Sequence, residues 1–438
     1  MTDGAAEAIL AAAAKRFGHA EVFEQTSEAV EVRFEDNRLK EITTVQVRGI
    51  GLRVIHDGRV GFASTTDLRD PARLVEMAGA SAEFGDEARF EFPGRPDALG
   101  TVQTWDDAVP GVGAERLVEM GREGLEMSLK ASDAYLYGCD VSRSNGTQRI
   151  LNTAGLDVEL RSTGMSASVG IQEITDAGFL QVYEYRGWGR AFDSVVDLAE
   201  ETLGKMRQAA VVVPARLEAM PMIFTPKALG NLLSPLSVAL NGKQVHKGSS
   251  VLRGRIGEQV LDRRITITDD PGVAFAPGTR ATDDEGLPSR RTHLFEQGVL
   301  RAYRTDLQTA ALLGVEPGAN AARGYSSRPS PAASNVLVRP GDTSLDEMIA
   351  GLKRGAIVDQ TLGGGQSNVL AGEFSVNLDL GFLVEEGRIV GRLKDCMVAG
   401  NVYEVLKEVQ AIGSEPRWLG GTCAPPILVG GLKLAAQG

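Results

Sequence analysis

The chain has 438 residues, 43% hydrophobic, 24% charged and 5% aromatic, and its 46 Lys and Arg against 58 Asp and Glu give a formal charge of −12. Length and composition point to two or three globular domains with ample core, and exclude disorder, collagen and disulfide-scaffold classes. The acidic balance argues against a protein that tracks a nucleic-acid backbone, which needs clustered Lys and Arg to neutralise phosphates.

In chain order, Ala5 to Phe17 consists almost entirely of good helix formers, with Thr2 or Asp3 available as N-cap and Gly18 placed to end the helix. Val30, Val32 and Phe34 then alternate with polar residues, Asp36-Asn37 punctuates, and a second strand runs through Val45, Val47, Leu52 and Val54. Asp57-Gly58 turns the chain into Val60-Gly-Phe62, a hairpin signal, and helix returns from Pro71 to Gly85. Glu87 to Gly113 is rich in Pro, Gly and Asp and reads as a long surface connection. A helix follows with Leu117, Val118, Gly121, Leu125 and Leu129 on one face, then a second meander. Its strands alternate through Tyr135, Tyr137 and Cys139 and through Met165, Ala167, Val169 and Ile171, with Asn145-Gly146 expected as a type I′ turn. The stripe Val195, Leu198, Ala199, Thr202, Leu203, Met206 predicts a closing helix capped by Asp193 or Ser194.

Helix, meander, helix therefore occurs twice and suggests an internal duplication within residues 1–210. After Val211-Val-Val-Pro214, Gly and Pro become frequent, and only short helices are predicted, near 226–240, 305–313 and 345–354. The expected fold class is α+β, with an N-terminal α+β domain over 1–213 and a β-rich C-terminal domain over 214–438.

The usual catalytic spacings are absent. His19, His56, His246 and His293 form no helical zinc pair, no GxxxxGK[ST] or GxSxG is present, and Gly363-Gly-Gly is not a phosphate loop. Cys139, Cys396 and Cys423 are far apart, form no CxxC pair, and read as reduced thiols in a cytoplasmic protein. The N-terminus lacks the basic-then-apolar order of a signal peptide, and no apolar run approaches the ~18 residues of a membrane span. A thiol hydrolase built on Cys396 or Cys423 with a distant His293 or His246 is the least supported activity.

Two segments carry more information. Asp283-Asp-Glu-Gly-Leu-Pro-Ser-Arg-Arg291 reads first as a solvated turn, and alternatively as a loop fixed at a cleft by Arg–carboxylate pairs. Gly363-Gly-Gly365-Gln366-Ser367-Asn368, followed by Gly372-Glu-Phe-Ser375, reads either as a hairpin loop or as backbone able to pair with an extended peptide.

These landmarks resemble a known family. Glu35-Asp-Asn-Arg-Leu-Lys-Glu41, Arg48-Gly-Ile-Gly-Leu-Arg-Val54 and Gly58-Arg-Val-Gly-Phe-Ala-Ser64 resemble the N-terminal domain of the TldD/PmbA (TldD/TldE) family. Asp283-Asp-Glu-Gly286 with Glu296-Gln-Gly298, then Gly363 to Ser375 and Gly420-Gly-Thr-Cys423, resemble its C-terminal domain in the same order. The resemblance implies an α+β N-terminal domain, a β-rich C-terminal domain, and a dimer enclosing a cavity that admits unfolded peptide. It also implies, in the TldD branch, an HExxxH zinc helix with a further ligand near the C-terminus. The corresponding stretch here, Leu232-Leu-Ser-Pro-Leu-Ser-Val-Ala-Leu240, holds neither His nor Glu, and Pro235 is expected to interrupt a helix there.

On that resemblance the chain is of the PmbA/TldE type, with no catalytic or metal-ligating residues of its own and with zinc expected in a TldD-type partner. Asn335, Gly365, Gln366, Ser367, Asn368 and Gly372 are its candidate peptide contacts. The alternative is a stand-alone homodimeric peptide-binding or regulatory protein, matching the family's older description as a modulator of DNA gyrase. Neither reading involves direct nucleic-acid or membrane binding.

Overall fold

A computed structural model describes residues 4–175, 178–363 and 367–436. The mixed α+β class expected from the sequence is what it shows, with an antiparallel sheet in the first half and mixed sheets in the second.

Helix α1 (Ala5–Phe17) begins after Gly4, whose φ of 100° needs no side-chain cap, and Gly18 ends it at φ 75°. The expected caps Thr2 and Asp3 lie outside the described residues. Strands β1 (His19–Glu35), β2 (Arg38–His56) and β3 (Arg59–Thr65) form a meander, closed by α2 (Pro71–Ala82), which Asp70 caps through the Arg73 N–H. Asp57 and Gly58 both take positive φ, as the type I′ hairpin requires. After the long connection, α3 (Ala114–Ala131), β4 (Leu136–Asn152), β5 (Asp157–Thr175), β6 (Gly178–Trp188) and α4 (Val196–Gln208) repeat the order. The sheet order is β3-β2-β1-β4-β5-β6, the arrangement two such units give when their first strands pair.

Asn145-Gly146 is not a turn. It lies in the middle of β4, which pairs with β1 and β5 along its length, and the chain reverses instead at Gly155, whose φ is 91°. Glycine is needed at 146 because a Cβ there would lie 2.6 Å from the Thr26 carbonyl oxygen. The α4 cap also differs: the helix starts one residue beyond Val195, and the Ser194 hydroxyl accepts from the Val196 N–H.

The two helix pairs cover separate ends of the sheet. Ile9 and Ala13 of α1 pack with Leu74 and Ala78 of α2 against Val22, Leu52 and Val54, whereas Leu117 and Met120 of α3 join Leu198 and Leu203 of α4 over Val32, Phe34, Val141 and Val169. Gly121 marks a close approach of α3 to the sheet, since an added Cβ would sit 2.3 Å from the buried Phe34 ring. Gly121→Val should therefore cost about 1–3 kcal/mol by overpacking. Gly204→Ala on α4, where a Cβ meets nothing within 4 Å, should stabilise by about 0.5–1 kcal/mol. Urea midpoints of the two variants moving the same way would contradict the packing described.

The second half builds around a closed ring of strands. Arg354–Gly363 pairs with Glu218–Phe224, which pairs with Ile427–Ala436, then Cys396–Asn401, then Glu373–Glu385, which returns to Arg354–Gly363. A second sheet ends at the short strand Arg417–Leu419. Pro235 does not break the chain: it lies inside α5 (Gly230–Ala239), where Leu232, Pro235, Leu236 and Ala239 are buried together. Packing of that face in a short helix outweighs the single backbone bond a proline removes. The predicted short helices appear as α5, Leu307–Leu313 and Leu345–Ala350.

The two halves are locked by buried charges, and here the solvated-turn reading of Asp283-Asp-Glu fails. Asp283, Asp284 and Glu285 are all buried. Arg53 of β2 reaches Glu285 at 2.6 Å and Glu21 of β1 at 3.0 Å, while Arg323 reaches Glu21 at 2.7 Å. The rings of Phe90 and Phe92, from the long connection, stand 4.8 and 5.1 Å from the Arg53 guanidinium. Asp283 accepts the N–H groups of Glu285, Leu287 and Ala321, and burial pushes its carboxyl up to about 6. The sequence looked solvated because Arg53 lies 232 residues from Glu285, and Ala321 and Arg323 lie 38 and 39 residues from Asp283 and Asp284.

Candidate functional site

A cleft of about 990 Å³ opens where β6, α4 and the second half meet. Its floor is an alternating set of charges that each element supplies for a local reason. Strand β6 alternates, so Val182 points to the core and Tyr183 away from it, while Glu184, beside Lys205, is nearly buried. Lys205 lies in the last turn of α4, where a cation suits the helix dipole. Lys227 follows the end of the strand Glu218–Phe224, and Asp359 and Gln360 interrupt the apolar run Ala356-Ile-Val358.

Lys227 Nζ lies 2.9 Å from Glu184 Oε1 and 3.0 Å from Asp359 Oδ2, and donates to the Tyr183 carbonyl at 2.7 Å. Lys205 Nζ lies 2.7 Å from the same Glu184 oxygen and 3.1 Å from Asp359. Burial alone would lower Lys205, but Asp359 and Glu184 outweigh it and hold its ammonium above the usual range. Burial likewise works to raise Asp359, and Lys227 and Lys205 overcome it and lower its carboxyl. Two lysines and two acids thus interlock in a nearly dry setting, where the ion pairs hold Lys205 and Asp359 in their charged forms. Toward solvent the cleft is flanked by the Arg417–Glu201 pair and by Trp188 and Trp418, whose rings meet edge to face at 5.3 Å.

The same network caps a sheet edge. Gln360 accepts from the Tyr183 N–H at 2.9 Å and donates to the Gln181 carbonyl at 3.0 Å, so one side-chain amide stands where an added strand would put a peptide group. Strand periodicity turns the N–H and C=O of Tyr185 and Gly187 the same way as those of Gln181 and Tyr183. Both residues line the cleft, and among the described residues no hydrogen bond is made to these outward groups. The cleft therefore offers hydrogen-bonding backbone to an extended chain beside a charged wall.

The residues singled out from sequence fall in two places. Ser367, Asn368 and Gly372 share the loop joining Arg354–Gly363 to Glu373–Glu385, and Gly365 and Gln366 lie outside the described residues. Ser367 Oγ accepts from the Ser375 N–H at 2.9 Å, Asn368 caps the turn Val369–Ala371, and Gly372 takes φ 83° against the Tyr403 ring. Asn335 is elsewhere and fully buried. Its amide accepts from Gly278 N–H and donates to the Asp270 carbonyl and Thr279 hydroxyl, so it pins the 270–279 loop. Lys205, Lys227, Glu184 and Asp359 were not anticipated; the signal available was Asp359-Gln360 inside an otherwise apolar strand.

Burial raises the thiols of Cys396, to about 11, and of Cys423, and among the described residues neither is hydrogen-bonded to a histidine; His293 Nδ1 lies 3.0 Å from the Thr268 hydroxyl. Nothing here activates a thiolate. Among the described residues no cluster of three His, Cys, Asp or Glu could hold a metal. The donor set of α5, Leu232, Leu233, Ser234, Pro235, Leu236 and Ser237, does not fit zinc.

Comparison with known proteins places this architecture. The family model of the PmbA/TldA metallopeptidase C-terminal domain matches residues 217–436, and that of PmbA/TldA metallopeptidase domain 1 matches residues 20–82. The chain belongs to the PmbA/TldD family. A family relative from Methanothermobacter thermautotrophicus, called a metalloprotease, is 27% identical over 93% of this chain and 90% of its own. A TldD-homolog metalloprotease from Haemophilus influenzae is 26% identical over 92% and 86%. A relative from Saccharolobus solfataricus called a zinc metalloprotease TldD homolog is 31% identical over 46% of this chain and 43% of its own. Among solved structures, TldE from Thermococcus kodakarensis has the same fold, with TM-score 0.91 and 24% identity over 99% of this chain and 100% of that one. A Thermotoga maritima protein described as a candidate modulator of a DNA gyrase gives TM-score 0.91 and 22% identity over the same shares. Within this metallopeptidase family, no helix among this chain's described residues is long and apolar enough to cross a membrane.

Proposed function

We propose that this chain is a PmbA/TldE-type subunit that grips unfolded, extended peptide while a TldD-type partner supplies zinc and cleaves it. The observation that carries the reading is the donor set of α5: where the resemblance places the zinc helix, the side chains are leucine, serine and proline. The cleft supports the gripping role, because free edge groups at Tyr185 and Gly187 suit strand addition, which reads backbone and tolerates varied side chains. Ser367, Asn368 and Gly372, with the neighbouring Gly365 and Gln366, are proposed as further peptide contacts, and residues 1–213 and 214–438 as the two domains of the subunit. The protein works in the cytoplasm.

A second reading, a stand-alone homodimeric regulator that binds peptide without cleaving it, is favoured only by the gyrase-modulator description of the Thermotoga relative. The charge of −12 directs any such effect away from DNA itself.

The test measures zinc content and hydrolysis of unfolded casein for this chain, for a homologue bearing HExxxH, and for the mixture. The chain alone should hold no stoichiometric zinc and cleave nothing, and the mixture should exceed the homologue alone at least tenfold. Zinc and activity in this chain alone would overturn the reading, as would a mixture no faster than the homologue.

A further inference from the structure

The open edge of β6 separates two cavities of different chemistry. Helices cover one face of the first sheet, where Val182 of β6 is buried. Alternation turns Glu184, Arg186 and Trp188 to that same side, where Glu184 and Arg186 meet Lys205 and Asp197 of α4, and turns Tyr185 and Gly187 to the other. The helix side belongs to the cleft described above. On the opposite side lies a second cavity, of about 340 Å³, and Tyr185, Gly187 and Trp188 line both.

The second cavity is floored by the face of the sheet that the helices leave uncovered. Met165 and Ala167 of β5 are buried beneath the helices, which turns Gly164 and Ser166 outward, and Ser144 and Ser142 of β4 stand beside them in register. Phe275 closes one end: its N–H donates to the Gln103 carbonyl at 2.8 Å and its carbonyl accepts from the Gly189 N–H at 2.6 Å, within the loop that Asn335 pins. In a chain that is 24% charged, no Asp, Glu, Lys, Arg or His among the described residues lines this cavity. Its polar groups are hydroxyls, amides and backbone, whereas the cleft across the edge holds Glu184, Lys205, Lys227 and Asp359.

At the edge itself Gly187 carries no side chain, and the Tyr185 hydroxyl lies over it where a Cβ would sit. Behind Gly187 in the same row come Ser166 and then Ser142, whose hydroxyls meet at 2.8 Å. A strand laid against β6 sends successive side chains to opposite faces. Those beside Glu184, Arg186 and Trp188 meet charges and aromatic rings. Those beside Tyr185 and Gly187 meet hydroxyls, where a charged side chain gives up hydration and finds no opposite charge, while serine, threonine, asparagine or glycine loses little. We propose that the peptide gripped at β6 is read on two sides, and that its preferred class is an extended segment in which every second residue is small and uncharged and the residues between carry charge or bulk. The inference rests on the peptide-gripping reading and adds side-chain selectivity to it.

Fluorescence polarisation of labelled, end-capped octapeptides on the full chain tests it. Ser-Lys-Ser-Glu-Ser-Lys-Ser-Glu and Lys-Lys-Glu-Glu-Lys-Lys-Glu-Glu are both neutral overall and present the same Lys/Glu alternation on one side, but only the first has an uncharged other side. The first should bind about tenfold more tightly, or better. Ser166→Lys, which puts an ammonium beside the second cavity's hydroxyls, should shrink that difference to about threefold or less, because the glutamates of the second peptide then find a partner there. Equal affinities of the two peptides for the wild type, or a difference that Ser166→Lys leaves unchanged, would overturn the two-sided selectivity and leave the grip standing. Failure of both peptides to bind would remove the grip and the selectivity together.

Discussion

Glu285→Ala is expected to destabilise the protein by about 3–5 kcal/mol, the cost typical of removing one member of a buried ion pair. The carboxylate is fully buried and closes two contacts at once, the Arg53 guanidinium at 2.6 Å and the N–H of Leu307 at 2.7 Å. Without it Arg53 keeps Glu21, but Arg323 already shares that carboxylate, so two guanidiniums face one acid in a dry setting. Burial works to raise the Glu285 carboxyl, to about 7, and Arg53 opposes it; Arg53 is itself held high by Glu21 and Glu285 against its own burial. We take the pair as ionised, because both oxygens of Glu285 are occupied by donors. The double variant Arg53→Met with Glu285→Leu should lose less than Glu285→Ala alone, since it leaves no orphaned charge. Urea unfolding monitored by tryptophan fluorescence decides it; a loss below about 1 kcal/mol for Glu285→Ala would mean the halves are not held by this lock.

Lys227→Met should cost a similar amount, about 3–5 kcal/mol, for the converse reason. It leaves Glu184 and Asp359 nearly buried with Lys205 as their one remaining ammonium, and strips the Tyr183 carbonyl of its donor. Glu201→Ala, which breaks a partly exposed pair with Arg417, should cost at most about 1 kcal/mol. The acid limb adds a signature. Asp359 is lowered in the folded protein, so its contribution is present above 3.8 and lost as pH falls through the lower native value. In Lys227→Met that contribution shrinks, so the two stability curves should converge as the pH is lowered past 3.8. Curves that stay parallel there would show that Asp359 does not depend on Lys227.

Much of the fold was legible because local rules sufficed. Alternation in β1 and β2, the Asp57-Gly58 hairpin and the α4 stripe each follow from side chains within a few residues of one another. The errors share one cause, tertiary contacts overriding local preference. Asn145-Gly146 is a strong turn dipeptide, yet two full-length neighbours hold it extended. Pro235 opposes helix, yet the core takes its face, and three consecutive acids read as wet until Arg53 and Arg323 arrive from distant segments. The cleft was illegible for the same reason: Glu184, Lys205 and Asp359 come from three elements and Lys227 from a turn, and no two of them form a motif. Glycine-rich sequence drew attention to the loop after Gly363, whereas the open backbone at Tyr185 and Gly187 carries no compositional mark at all.

The closed ring of strands also governs how the protein can be made. Its seam joins Phe224 to Ile427, and its last strand is the last described segment of the chain. During synthesis the first sheet, complete by Trp188, can assemble as soon as it leaves the ribosome. The strand Glu218–Phe224 must then wait for Arg354–Gly363 on one side and, some two hundred residues after its own synthesis, for Ile427–Ala436 on the other, with contacts among the most distant in sequence. A nascent chain stalled before residue 427 is therefore half native and half adhesive, and chaperone dependence should be confined to that interval.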